Sequence, residues 1–137
     1  MAAKHSYKKR VRYGETDQMG YLYYGNYATY YEIGRVELMR SIGITYKDLE
    51  EKMGIMMPVA SMEVKYLRPA LYDQEIRIET SIEKIPEKFI IFRSELFNED
   101  DKLINVGLVK LCFVDIKQGK TLQEPPSFIK EILGEYF

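Results

Sequence analysis

The chain has 137 residues, 46% of them hydrophobic and 30% charged, with a net charge of −1. That size and balance suit one soluble globular domain with its own core, and the near-zero charge gives no general attraction to nucleic acid or an anionic membrane. The single cysteine, Cys112, excludes an internal disulfide, and no apolar run reaches the roughly 18 residues a membrane span needs. The basic opening MAAKHSYKKR has no apolar stretch behind it, so it does not read as a secretory signal. The cytoplasm is the expected address.

Ser6–Arg12 reads as a first strand, followed by a loop that holds Gly14 and Asp17. Asn26 is a candidate N-cap and Gly43 a candidate C′ residue for a long helix. Between them Tyr27, Tyr30, Tyr31, Gly34, Leu38 and Ile42 recur at helical spacing on one face. A mid-helix glycine costs about 1 kcal/mol relative to alanine, so Gly34 predicts a close approach to a sheet. Thr45 and Asp48 resemble a capping box opening a short helix, Tyr46–Met53.

Four strands are predicted next. Val59–Leu67 stops before Pro69. In Gln74–Lys84, Ile76, Ile78, Thr80 and Ile82 alternate with Arg77, Glu79, Ser81 and Glu83. Lys88–Phe97 follows the turn at Pro86, and Leu103–Asp115 follows the polar turn Asn98–Asp101. Gly119 marks a further turn, and Pro125–Pro126 precede a terminal helix, Ser127–Glu135. This order predicts an α+β fold, one antiparallel sheet covered on one face by one long helix. The sheet has two open edges, which a second copy of the chain would pair.

The chemistry open to the chain is narrow. Its only histidine, His5, lies near the terminus, so a Ser–His–Asp or Cys–His arrangement has no well-placed base. The sequence holds no G-x-S-x-G, no P-loop, no strand–GxGxxG–helix and no metal-ligand spacing of His and Cys. Cys112 lies in an apolar strand and reads as packing rather than as a nucleophile. Carboxylate chemistry without a cofactor is what remains. In RYGETDQMGYLYYGNYATYYEIGR, Arg12–Arg35, Asp17 precedes a helix N-terminus by a few residues. The free N–H groups and positive dipole end there can hold negative charge on a substrate oxygen while the carboxylate attacks or activates water. A solvated turn aspartate before a core helix fits the same pattern, and the residues alone leave both readings open.

The segment RYGETDQMGYLYYGNY resembles the signature of the hotdog-fold acyl-CoA thioesterases. The nearest resemblance is to the 4-hydroxybenzoyl-CoA thioesterase-like group, with its small Tol–Pal-associated members. Asp17, Gly20, Tyr24, Asn26 and Tyr27 match, followed by Glu32, Arg35 and Glu37 on the helix. SMEVKYLRPA, Ser61–Ala70, is similar to the group's second strand. The resemblance implies a five-stranded antiparallel sheet wrapped around one long central helix. It also implies hydrolysis of an acyl-CoA to free acid and coenzyme A, with no cofactor beyond the coenzyme A of the substrate. Asp17 would be nucleophile or general base, and the backbone N–H of Tyr24, with that of Gly25, would polarise the thioester carbonyl. Many Tol–Pal-linked members carry histidine where Tyr24 stands, a departure that argues against a side-chain base beside Asp17.

Thioester hydrolysis suits so sparse a site, because a thiol with a pKa of about 8.5 leaves without a strong general acid. Glu32 is the rival carboxylate, about two helical turns past Tyr24, with pairing to Arg35 as its structural role. Lys88 stands where the hydroxybenzoyl branch has a nucleotide-binding lysine, and Lys65 and Arg68 are alternative phosphate contacts. Each is otherwise a solvated surface charge. Tyr27 and its neighbours at the helix start can line an acyl pocket, and Met53, Met56, Met57 and Met62 can form an adaptable wall. The rival functions are a non-catalytic acyl-CoA-binding or scaffold protein, and a hotdog dehydratase, for which His5 is poorly placed. A homodimer or homotetramer is expected.

Overall fold

Helix α1 spans Tyr27–Ser41 in a computed structural model that describes residues 2–137. Its buried side comprises Tyr27, Tyr30, Tyr31, Gly34 and Leu38, as the spacing predicts, joined by Arg35 and Met39. The helix stops at Ile42. Gly43 N–H donates to the Arg40 carbonyl at 3.0 Å and Ile44 N–H to the Met39 carbonyl at 2.9 Å, a pair of bonds that satisfies carbonyls the helix leaves orphaned. The start differs from the sequence expectation. Tyr24–Asn26 already form a helical turn, entered through an extended Tyr23, so Asn26 has αR backbone and does not cap. Its Nδ2 instead donates to the Glu15 carbonyl at 2.9 Å. A tertiary acceptor has replaced the local one.

The strands are β1 (Ala3–Arg10), β2 (Ile55–Met56), β3 (Val59–Tyr66), β4 (Glu75–Ile82), β5 (Phe89–Phe97), β6 (Leu103–Cys112), β7 (Val114–Asp115) and β8 (Lys120–Thr121). The main sheet has five strands in the order β1-β4-β5-β6-β3, every neighbouring pair antiparallel. β1 begins three residues earlier than its own pattern predicts, because it pairs with β4 from Ala3 opposite Ile82 to Arg10 opposite Glu75. The long apolar run at Leu103–Asp115 breaks after Cys112, since Val114–Asp115 leaves to pair with β2 and β8 in a small second sheet. Helix α2 (Tyr46–Glu51) opens on Thr45, whose side chain accepts from Asp48 N–H at 3.1 Å. Helix α3 (Ser127–Gly134) buries Ile129 and Leu133.

Alternation in β4 turns Ile76, Ile78, Thr80 and Ile82 inward, where they are buried. α1 packs on this face, chiefly over β1 and β4. A Cβ at Gly34 would overlap the Thr80 hydroxyl and stand 2.7 Å from Ile78 Cγ2. Gly107 on β6 plays the matching part beneath the Tyr31 ring, and the Tyr31 hydroxyl donates to buried Asn105 Oδ1. The result is the hotdog arrangement, an α+β fold with an antiparallel sheet wrapped around its central helix. Among the described residues no helix is long and apolar enough to cross a membrane.

Gly34→Ala supplies a better helix former, by about 1 kcal/mol, yet is expected to destabilise the protein. Forcing a methyl into packed space typically costs about 1–3 kcal/mol, and here Thr80 and Ile78 leave none. Urea denaturation checks this, and a variant as stable as the wild type would mean that helix and sheet stand further apart.

Candidate active site

After β1 the chain makes a short helical turn, Tyr13–Glu15, and then the loop that carries Asp17. Glu15 fastens this segment. Its carboxylate accepts from Arg12 N–H at 2.8 Å, from the Tyr30 hydroxyl at 2.9 Å and from Lys9 Nζ at 3.0 and 3.1 Å. Its carbonyl accepts from Tyr23 N–H at 2.9 Å and from Asn26 Nδ2. Burial alone would raise the Glu15 pKa, but the Arg12 N–H, Lys9 and Tyr30 outweigh it and hold the carboxyl below its ordinary value. Burial and the bond to Glu15 push the Tyr30 hydroxyl far above its ordinary range, so it stays a donor.

The Asp17 loop closes on itself. Asp17 N–H donates to the Tyr21 carbonyl at 2.8 Å, and Gly20 N–H to the Asp17 carbonyl at 3.1 Å. The turn passes through Gly20 at φ +76°, a conformation that costs glycine little. Asp17 Oδ1 accepts from Met19 N–H at 2.9 Å and Tyr21 N–H at 3.2 Å. With Oδ1 engaged in the turn, the carboxylate is fixed in orientation and Oδ2 has no hydrogen-bond partner among the described residues. Leu22 N–H to the Ala70 carbonyl and Tyr72 N–H to the Gly20 carbonyl, both at 2.8 Å, tie the loop to the chain that follows β3.

Asp17, Tyr24, Tyr27 and Arg68 line one cleft of about 310 Å³, with Met19, Leu22, Tyr66 and Leu67 completing its mostly apolar wall. Tyr27 meets Tyr66 edge to face, ring centres 5.2 Å apart, and the Tyr66 hydroxyl donates to the Tyr24 carbonyl at 3.3 Å. Burial raises the Tyr27 pKa and the nearby Asp17 charge adds to it, so Tyr27 is a neutral neighbour of the carboxylate. The amides of Tyr24 and Gly25 open the helical turn, which offers the first N–H groups of a helix no acceptor of its own. The Asp17 carboxylate and the apolar wall thus lie beside the residue that opens the positive end of α1.

The remaining candidates lie elsewhere. Glu32 is exposed on α1 while Arg35 turns inward, its Nε buried and unpartnered; Glu37 pairs with Arg40 at 3.4 Å. Lys65 is exposed on β3. Lys88 lines a separate cleft with Lys84, Phe89, Ile91 and Lys110. Register places Phe89 opposite Cys112, and both Leu96 and Tyr66 opposite Asn105. Lys88 is therefore about 23 Å along the strands from the Asp17 end of its own chain. Met57 is buried in the core, Met53, Met56 and Met62 are exposed, and Met19 is the methionine in the Asp17 cleft. Cys112 is half-buried, its Sγ 4.0 Å from the Pro58 carbonyl. Sequence reasoning missed Glu15 and Tyr66. An acid three residues past Arg12 was a weak capping signal for Glu15, and nothing local pointed to Tyr66.

Residues 11–133 match the family described as the thioesterase-like superfamily. YneP of Bacillus subtilis is 33% identical over 119 residues, covering 86% of this chain and 85% of the relative. The acyl-CoA thioester hydrolase YbgC of Escherichia coli O157:H7 is 29% identical over 122 residues, covering 89% and 90%. A solved DHNA-CoA thioesterase from Staphylococcus aureus superposes with a TM-score of 0.82 at 32% identity, over 88% of this chain and 80% of that one. The chain belongs to the thioesterase-like superfamily and is a hotdog-fold thioester hydrolase.

A carboxyl held lower in the folded than in the unfolded chain contributes stability above its unfolded pKa, about 4.3 for Glu, and loses it as pH falls through the folded value. Glu15→Gln is therefore expected to be less stable than the wild type at pH 7 and to lose stability less steeply below about pH 5. Thermal melts across pH check this. Parallel acid limbs for the two proteins would show that Glu15 titrates alike in both states.

Proposed function

We propose that this protein hydrolyses acyl-CoA thioesters to free acid and coenzyme A, with Asp17 as the reacting carboxylate. The observation that carries the reading is that Asp17 and Tyr24, the first residue of the helical turn that also holds Gly25, line one mostly apolar cleft. The amides would hold the thioester oxygen as charge develops on it. Asp17 Oδ2 then acts in one of two ways. As general base it takes a proton from water, whose oxygen attacks the carbonyl carbon. As nucleophile it attacks that carbon itself, giving an anhydride that water opens. In both routes the C–S bond breaks, the thiolate leaves and takes up a proton, and the acid is released.

Lys88 enters this scheme through a second subunit. The β1 edge carries Lys4, Lys8, Lys9 and Arg10, charges that discourage strand pairing. The β3 edge is mixed, exposing Ser61, Glu63 and Lys65 but also Val59, Met62 and Tyr66 at 52%, 45% and 54%. A twofold pairing of β3 with its own copy is antiparallel and sets each Tyr66 beside the partner's Val59 end. The partner's β5 then starts about 15 Å, three strand spacings, from the Asp17 end. Its lysine could reach the phosphates of a coenzyme A whose thioester lies at Asp17. Arg68, in the Asp17 cleft, is the contact from the same chain. The lone Cys112 fits a reducing compartment, and the cytoplasm is the proposed address.

Asp17→Asn keeps the shape of the side chain and removes the base and nucleophile. It is expected to lower kcat by about 10²–10⁴, roughly 3–5 kcal/mol of barrier, with the fold retained, while Glu32→Gln costs far less. Thiol release from a panel of short, long and aromatic acyl-CoAs measures both. An active Asp17→Asn beside a dead Glu32→Gln would move the chemistry onto the helix, and tight acyl-CoA binding with no thiol released would favour a scaffold.

Lys88→Ala is expected to raise KM at low salt with little change in kcat, because a remote phosphate contact serves ground and transition states alike, and to matter less as salt screens it. Mixing refolded Lys88→Ala and Asp17→Asn chains should restore a low-KM site in mixed dimers. Failure of the mixture to do so, with mixed dimers demonstrated, would place Lys88 outside the partner's site.

A further inference from the structure

Glu15 bonds to β1, to the turn before Asp17, to the helix start and to α1, while the chain after β3 holds the other side of the loop. The Glu15 carboxylate is bonded to Lys9 on β1, to the Arg12 amide and to Tyr30 on α1. Its carbonyl is bonded to Tyr23 N–H, the amide immediately before Tyr24 and Gly25, and to Asn26 Nδ2. Asp17 follows two residues later. We infer that Glu15 is a positioning residue, setting the separation between the Asp17 carboxylate and the Tyr24 and Gly25 amides; this deepens, and rests on, the catalytic reading of those groups.

Asp17 and the two amides sit on different segments, and a misplacement of about 1 Å between reacting groups can cost on the order of 10²-fold in rate. The Asp17 turn is internally rigid, but its own bonds do not fix where it stands relative to the helix start. The Glu15 carbonyl does so directly through Tyr23, and the carboxylate anchors that carbonyl to β1 and α1 at once. Lys9 supplies the compensating charge. Its Nζ lies 3.0 Å from Oε2 and 5.2 Å from the centre of the Tyr30 ring, so a second anion close to the site does not oppose charge developing on the thioester oxygen.

The test compares Glu15→Gln, Tyr30→Phe and the double variant. The substrate is whichever of acetyl-, butanoyl-, decanoyl- and benzoyl-CoA the wild type turns over fastest, with thiol release as the readout and activity normalised to folded protein. Glu15→Gln is expected to lower kcat about tenfold with KM within about twofold, the signature of lost transition-state alignment. Tyr30→Phe is expected to cost about threefold, and the double variant no more than Glu15→Gln alone, because Tyr30 acts through the same carboxylate. Wild-type kcat per folded Glu15→Gln molecule, or effects that simply multiply, would overturn the inference. Amide hydrogen exchange gives an arm independent of activity. Positions 16–26 should exchange at least about tenfold faster in Glu15→Gln, with α1 beyond Tyr31 unchanged, and unchanged protection there would overturn the inference. If the wild type releases no thiol from any of the four substrates, the catalytic reading fails, and the exchange arm still decides whether Glu15 fixes the loop to the helix.

Discussion

The contact between α1 and the sheet at Gly34 governs how the rest of the molecule is arranged. Without a Cβ at that position the helix backbone descends onto Thr80 and Ile78, and Gly107 admits the Tyr31 ring in the same way. Two absent side chains, one on the helix and one on the sheet, fix the helix in depth and along its axis. Tyr30, Tyr31, Leu38 and Met39 then fill the space on either side, all fully buried. A helix seated this firmly has a fixed N-terminus. The amides of Tyr24 and Gly25 therefore point from a set place, and only the loop before them must be brought to register.

That loop is a chain of short-range devices that hand position from one to the next. Glu15 bonds β1 to α1, its carbonyl holds Tyr23, and Asp17 closes an Asx turn over Met19 and Tyr21. The arrangement suits a reaction that asks little of the protein. A thiolate is a good leaving group, so the site needs a carboxylate, donors for one oxygen and a surface to hold the acyl group. Tyr27, Tyr66 and Leu67 give the Asp17 cleft a largely apolar wall.

The two sheet edges differ in kind. β1 is polar and rich in lysine, whereas β3 presents Val59, Met62 and Tyr66 to solvent in the isolated chain. Tyr66 belongs to the Asp17 cleft as well as to this edge. Whatever covers β3 therefore also bounds the Asp17 cleft, so the state of the edge and the shape of the cleft are linked.

Much of the architecture was legible because periodicity is a local property. The face of α1, the alternation of β4, the Gly43 stop and the Thr45 cap all rest on contacts within a few residues, and they stand as the sequence predicts. The meaning of Gly34 was also legible, since an unfavourable helix residue needs a packing reason. What could not be read locally was decided by partners distant in sequence. β1 starts early because β4 pairs with it along its whole length. Asn26 gives up its cap for a carbonyl 11 residues back, and the run ending at Asp115 splits because β2 and β8 compete for its last residues. The placement of site residues divides along the same line. Asp17 beside the start of a helix follows from nearness in the chain, so the sequence determined it. That Tyr66 and Arg68 join the Asp17 cleft, that Glu15 binds it to the helix, and that Lys88 lies at the far end of the same strands were decided only by tertiary structure, because sheet order and register bring together or separate residues whose spacing in sequence carries no trace of it.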